Sequence, residues 1–208
     1  MVEPIAFRPH PWHGLEPGPS FPETVIAYIE LVPSDGVKYE VDKLSGYLKI
    51  DRPQRFSSSC PTLYGFVPRT LCASEVAAVA LGGPPVNRGD GDPLDICVLT
   101  DRHVSRGDIL LEARPIGGLR MVESGEADDK IIAVLVNDPG FGELREVREL
   151  PAAVVDRLRH YFLTYKKIPG EKGPEISVDP IYGAAEARRV LEASRRDYDA
   201  AFARSPRP

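Results

Sequence analysis

Cysteine is scarce in this chain: Cys60, Cys72 and Cys97 are its three, and no two stand in a CxxC spacing. An odd, scattered set argues against a disulfide framework and a structural zinc site, and fits a reducing compartment. No apolar run approaches the roughly 18 residues a membrane span needs. The N-terminus has no basic segment followed by an apolar stretch, so neither export nor a membrane partner is expected and a cytoplasmic location is. Blocks of Lys and Arg are also missing. With 26 basic and 31 acidic residues, a net charge of −5 and 8% aromatics, the chain lacks the basic, aromatic-studded surface of a nucleic-acid binder. A GxxxxGK[ST] phosphate loop is absent too, which removes the commonest nucleotide site.

Proline, by contrast, is plentiful. Pro4, Pro9, Pro11, Pro17, Pro19 and Pro22 crowd residues 1–23, which forbids regular helix and predicts an extended arm lying on the surface. His10 and His13 fall in that arm and read as solvated or packing side chains. At 208 residues the chain suffices for one substantial domain, and no internal repeat or linker divides it, so residues 1–208 are expected to form one unit.

From Thr24 onward the pattern is that of short strands. Val25–Val32, Val37–Asp42, Tyr47–Arg52, Leu94–Leu99, Ile109–Arg114 and Lys130–Val136 are rich in β-branched residues and bounded by Gly, Pro or Asp, as strands are. Lys43-Leu44-Ser45-Gly46 joins the second and third as a hairpin, with Gly46 able to take the left-handed position. Strands without regular helical crossovers favour a small antiparallel barrel or sandwich. Pro151 opens a helix with Val154, Leu158, Tyr161 and Tyr165 on one stripe, ended by Pro169-Gly170. A second helix runs from about Ala184 to Arg204, with Ala187, Val190, Leu191, Tyr198 and Phe202 facing inward. Cys72–Arg88 is less periodic, a helical turn or more followed by a loop.

Negative charge gathers at Asp90-Gly91-Asp92-Pro93-Leu94-Asp95, three carboxylates in six residues just before an apolar strand. Asp, Gly and Pro are ordinary turn residues, so a solvated turn is one reading. The other is a cation site, because carboxylates this close repel unless neutralised, and hard oxygen donors without histidine favour magnesium, manganese or calcium. An EF-hand loop does not fit: counted from Asp90, Leu94 and Asp95 fall where an oxygen ligand and the obligatory Gly belong. A second acidic cluster, Glu123, Glu126, Asp128 and Asp129, precedes Lys130 and another strand. Period two places Lys38 and Glu40 on one strand face, and the hairpin returns Arg52 beside them. Acidic loops with cations nearby are what metal-assisted phosphoryl transfer requires.

Taken in order, Lys38-Tyr39-Glu40 with Asp42, Gly46 and Asp51-Arg52, then Tyr64-Gly65-Phe66-Val67-Pro68, DGDPLD, Asp128-Asp129-Lys130-Ile131, and His160-Tyr161-Phe162 with Tyr165-Lys166 resemble the soluble inorganic pyrophosphatases of family I. The resemblance implies a mainly β fold with flanking helices (α+β), a closed five-stranded OB-like barrel with two α-helices in the C-terminal half. It implies a homo-oligomer that hydrolyses inorganic pyrophosphate with Mg2+, Mn2+ being a possible substitute. Asp90, Asp95 and Asp128 look like the carboxylates holding two metals, and Asp92 like the general base that takes the proton of water. Glu123 and Asp128 match the ligands of a further, substrate-borne magnesium, and Glu30 an outer, water-mediated contact. Lys38, Arg52, Tyr64, Lys130, Tyr165 and Lys166 resemble the phosphate-binding set, and Glu40 supports the site without ligating. The chain departs from the pattern at Cys60, where many members carry tyrosine, and at Glu123, where aspartate is usual and Glu126 is close enough to compete. It departs again in the longer Cys72–Arg88 segment. The rival activity is metal-dependent hydrolysis of another phosphoanhydride or a phosphoester.

Overall fold

A computed structural model describes residues 8–55, 58–79, 86–168 and 170–202. Pro4, Pro169, Arg204 and the middle of the Cys72–Arg88 segment lie outside them. The chain is mainly β: β1 (Val25–Leu31), β2 (Val37–Val41), β3 (Leu48–Pro53), β4 (Leu63–Phe66), β5 (Asp95–Leu99), β6 (Ile109–Glu123), β7 (Glu126–Ala127), β8 (Lys130–Leu135) and β9 (Ile176–Gly183). Among the described residues three α-helices accompany them, α1 (Ser74–Ala78), α2 (Ala152–Thr164) and α3 (Ala184–Phe202).

Seven strands form one sheet in which β4, β5, β8 and β6 follow β1 side by side, β6 pairs back with β1, and β7 and β9 also attach to β6. The pairings are antiparallel except for β5 with β8, which run parallel with Asp95 opposite Lys130. Apolar side chains fill both faces, as continuous apolar runs such as Ile131–Val134 demand. One cluster joins Val25, Ile29, Ile96, Val98 and Ile131 to Val190 and Leu191 of α3. The opposite one joins Leu31, Cys97, Ile132 and Met121 to Leu158 and Phe162 of α2.

The hairpin β2–β3 stands apart as a two-stranded sheet, with Lys38 opposite Arg52 and Gly46 at φ +75° in its connection, as the turn sequence predicts. α2 begins directly after Pro151, as expected, but ends at Thr164, short of Gly170. Two expectations need correction. The strand beginning at Ile109 continues past Arg114 to Glu123, and β9 pairs with that second half. Gly118 permits this: a Cβ there would lie 2.4 Å from the Tyr182 ring. Phe202, expected inward, is 43% exposed, while Ala187, Val190, Leu191 and Tyr198 of the same helix are buried. Among the described residues no helix is long and apolar enough to cross a membrane.

Candidate active site

The parallel pair β5–β8 starts both strands at the same edge of the sheet, so Asp95 and Lys130, their first residues, are neighbours. Each is preceded by its acidic loop, which is how two sequence-distant clusters come to face one cavity. That cavity, of about 320 Å³, is lined by Asp90, Asp92, Asp95, Glu123 and Asp128 together with Lys38, Tyr64, Lys130, Tyr165 and Lys166. A smaller one of about 60 Å³ adjoins it, shares Lys38, Tyr64, Asp92 and Asp95, and adds Glu30 and Glu40. Arg52 lines neither, but its guanidinium carbon lies 5.5 Å from the centre of the Tyr165 ring and it ion-pairs with Asp51. Glu126 also faces the larger cavity and is bound to Arg88 at 2.6 Å.

The Asp90–Asp95 loop is held by its backbone. The Gly91 N–H donates to the Cys72 carbonyl at 2.9 Å, the Cys72 N–H returns a bond to the Asp92 carbonyl at 2.8 Å, and the Asp90 N–H donates to the Ala127 carbonyl at 3.2 Å. Asp90 accepts the Asp92 N–H at 3.0 Å, and Thr70 Oγ1 accepts the Leu94 N–H at 2.9 Å. With Gly91 at φ +80°, the loop places its carboxylates on the cavity wall without a strand ladder of its own. Four of these bonds tie the loop to the rest of the chain, which a solvated turn would not need.

Three lysines offset part of the negative charge in the cavity. Lys130, 2% exposed, ion-pairs with both Asp95 and Asp128. Burial alone would lower the pKa of its ammonium, but Asp128 and Asp95 outweigh burial and hold it well above the ordinary lysine value. Lys166 Nζ donates to both carboxylate oxygens of Glu123, at 2.8 and 2.6 Å, and Lys38 reaches Glu40 at 3.4 Å and Asp51 at 3.3 Å. Burial and the facing Asp128 raise the pKa of Asp90. Burial pushes Glu30 up to about 8, although its carboxylate accepts the Val41 N–H at 2.6 Å. Tyr64, which donates to Asp95, and Tyr165 are raised by burial, so both phenols remain neutral donors.

The donor set suits a hard divalent cation: six carboxylates line the larger cavity, and neither imidazole nor thiolate shares it. Among the described residues no three acidic, histidine or cysteine side chains already converge around one point, and the ammonium of Lys130 lies between Asp95 and Asp128 instead. Cys60 is buried beside Tyr64, Tyr161 and Tyr165, its thiol pushed up to about 11 by burial.

A family model described as inorganic pyrophosphatase matches residues 27–199. The chain belongs to that family. It is 48% identical over 202 residues to the inorganic pyrophosphatase of Chlamydia caviae, covering 94% of this chain and 93% of that protein. The soluble inorganic pyrophosphatase of Oryza sativa subsp. indica is 37% identical over 191 residues, 92% of this chain and 80% of its own length. Among solved structures, the inorganic pyrophosphatase of Thermus thermophilus superposes with a TM-score of 0.76 at 29% identity, covering 91% and 99% of the two chains. Membership makes this pyrophosphatase a hydrolase of the inorganic diphosphatase class.

Two side chains at the site carry no signal in the sequence reading. Lys43, in the β2–β3 connection, ion-pairs with Asp92; its position on the hairpin that bears Lys38 and Arg52 is the feature that could have singled it out. Trp12, from the proline-rich arm, lines the smaller cavity. Asp129, next to Asp128, is fully buried and bound instead to Arg120 and Tyr182 at 3.0 Å each.

Proposed function

We propose that this pyrophosphatase cleaves inorganic pyrophosphate with water into two phosphates, using Asp92 as general base. The observation that carries the reading is the cavity that brings six carboxylates against Lys38, Lys130 and Lys166. Pyrophosphate repels an incoming nucleophile, so a competent site must neutralise the substrate and activate water together. Asp90, Asp95 and Asp128 would hold magnesium, Glu123 with Asp128 a further ion, and Glu30 an outer contact; such ions acidify bound water and clamp phosphoryl oxygens. Asp92 is half-exposed at the cavity mouth, where its carboxylate can accept the proton of an attacking water. Lys38, Lys130 and Lys166 supply point charges to phosphate oxygens, Arg52 a planar fork, and Tyr64 and Tyr165 neutral hydrogen bonds. Glu40 orients Lys38. The circuit of pairings β1–β4–β5–β8–β6–β1 supports describing the sheet as a closed five-stranded barrel of OB type, and the packing of Trp12 into the core supports treating the arm and barrel as one domain. Three buried, unpaired cysteines suit a cytoplasmic setting, and the family resemblance supports a homo-oligomer.

The test is phosphate release from pyrophosphate with magnesium, with manganese, with calcium and in excess chelator. Activity with magnesium or manganese, little with calcium and none in chelator is the expected pattern. Equal turnover of ATP and pyrophosphate, or full activity in chelator, overturns it.

A further inference from the structure

The hairpin that carries Lys38 and Arg52 is not part of the main sheet, so something must fix its distance from the acidic loops. Glu30 holds one strand through the Val41 N–H, and Lys43 spans to Asp92. Tyr39 packs against the core beneath α2, Arg52 lies over the Tyr165 ring, and further support comes from the arm. Trp12, 5% exposed, packs in one cluster with Val41 of the hairpin, Tyr28, Phe66, Leu71 and Tyr198, against which Leu48 of β3 also rests. Its indole N–H donates to the Thr70 carbonyl at 2.7 Å, and Thr70 is the residue whose hydroxyl oxygen accepts the Leu94 N–H inside the acidic loop. One ring thus touches both halves of the site: the cationic hairpin on one side and, through Thr70, the carboxylate loop on the other.

The arm is itself anchored at both flanks. His10 and Pro11 lie against Gly46 at the hairpin turn, where an added Cβ would come within 2.8 Å of the His10 ring. His13 stacks on Trp12 with ring centres 4.4 Å apart and meets the Tyr198 hydroxyl of α3 at 2.8 Å. An arm folded into turns, contrary to the extended chain its prolines predict, whose tryptophan is buried beside the substrate cavity is doing more than covering surface.

We propose that Trp12 is a positioning residue for phosphate binding, a wedge that sets the gap between the Lys38/Arg52 hairpin and the Asp90–Asp95 loop. The inference rests on the pyrophosphate reading of the site for its substrate. Removing the wedge lets the hairpin cations drift from the phosphate positions, which weakens binding because a site is only as well placed as the residues that support it.

Trp12 is the single tryptophan of the chain, so its emission reports on this junction without labelling. Three measurements test the proposal: wild-type emission during titration with magnesium and inorganic phosphate, calorimetric phosphate affinity, and the split between KM and kcat, the last two in Trp12→Phe and Trp12→Ala. Trp12→Ala is expected to weaken phosphate affinity and raise KM by about tenfold while kcat changes by less than about threefold, the pattern of lost binding. Trp12→Phe, which keeps a ring but loses the bond to Thr70, should fall between. Wild-type emission should shift and saturate with phosphate occupancy. A Trp12→Ala protein with a lower melting temperature but unchanged KM and phosphate affinity overturns the proposal. Should that variant fail to fold, unchanged affinity in Trp12→Phe together with wild-type emission indifferent to saturating phosphate overturns it equally. A wild-type protein that binds phosphate but does not hydrolyse pyrophosphate defeats the reaction assigned to the site, while affinity and emission still decide the role of Trp12.

Discussion

Asp95 and Lys130 sit opposite each other across the parallel strands β5 and β8, and the buried ammonium of Lys130 binds Asp95 and Asp128 at the same time. A lysine with 2% exposure survives there because two carboxylates compensate it, and those carboxylates are equally dependent on the lysine. The stability of the acidic cluster therefore depends on the Lys130 charge.

Lys130→Met is expected to destabilise the metal-free protein by about 3 kcal/mol, the lower end for breaking a buried ion pair, because Asp95 and Asp128 are left uncompensated. Magnesium should restore more stability to the variant than it adds to the wild type, since a divalent ion can take over the neutralising role. Urea unfolding of both proteins with and without magnesium measures this. Equal stabilisation of the two by magnesium would separate Asp95 and Asp128 from metal binding.

Much of this arrangement is legible in the residues, because loops rich in Asp with a fixed Pro and a permissive Gly carry their chemistry locally. The hairpin spans 37–41 and 48–53 against the expected 37–42 and 47–52, since its strands are short and its turn residue distinctive. The second half of β6 is hidden because Pro115, Gly117 and Gly118 read as breakers, and only the approach of Tyr182 to both glycines and of Val147 to Gly117 explains them. β9 is hidden for a related reason: Ser177, Asp179 and Pro180 dilute its apolar alternation, and it pairs with the same obscured half of β6. Trp12 and Lys43 are tertiary facts. Nothing adjacent in the chain places an arm tryptophan or a turn lysine beside Asp92.

Glu123 and Glu126 compete in sequence but differ in space. Glu123 is gripped by Lys166 within the site, whereas Glu126 pairs with an exposed Arg88. Glu123→Gln should raise the magnesium concentration needed for half-maximal activity, and Glu126→Gln should leave it near the wild-type value. A magnesium titration in which only Glu126→Gln shifts would transfer the ligand role to Glu126.

The arm should loosen in acid. Burial first, and then the neighbouring His10, lower the pKa of His13 below 6.5. The unfolded chain then takes up its proton before the folded one does. The stability linked to His13 is complete above pH 6.5 and is lost as pH falls through the folded-state pKa. Unfolding of wild type and His13→Phe from pH 7.5 to about pH 5 should show a steeper loss in the wild type. Parallel curves would mean that His13 titrates alike in both states.

Asp92 is separable from the carboxylates around it. It stands two residues from Asp90 and three from Asp95, yet Asp95 is bound by Lys130 and Tyr64 while Asp92 meets Lys43 at the half-exposed mouth. If all three were ligands, neutralising any one should weaken metal binding alike. Asp92→Asn keeps the shape and an oxygen but cannot accept a proton, so turnover should fall by roughly 100- to 10,000-fold, the usual worth of a general base. Its metal affinity should change much less. Asp95→Asn removes charge from the centre of the cluster and should lose metal affinity and activity together. Calorimetric titration with magnesium or manganese, alongside initial rates, distinguishes the two. Near-normal turnover in Asp92→Asn would remove Asp92 from the mechanism, and a severe loss of metal binding in that variant would make it a ligand.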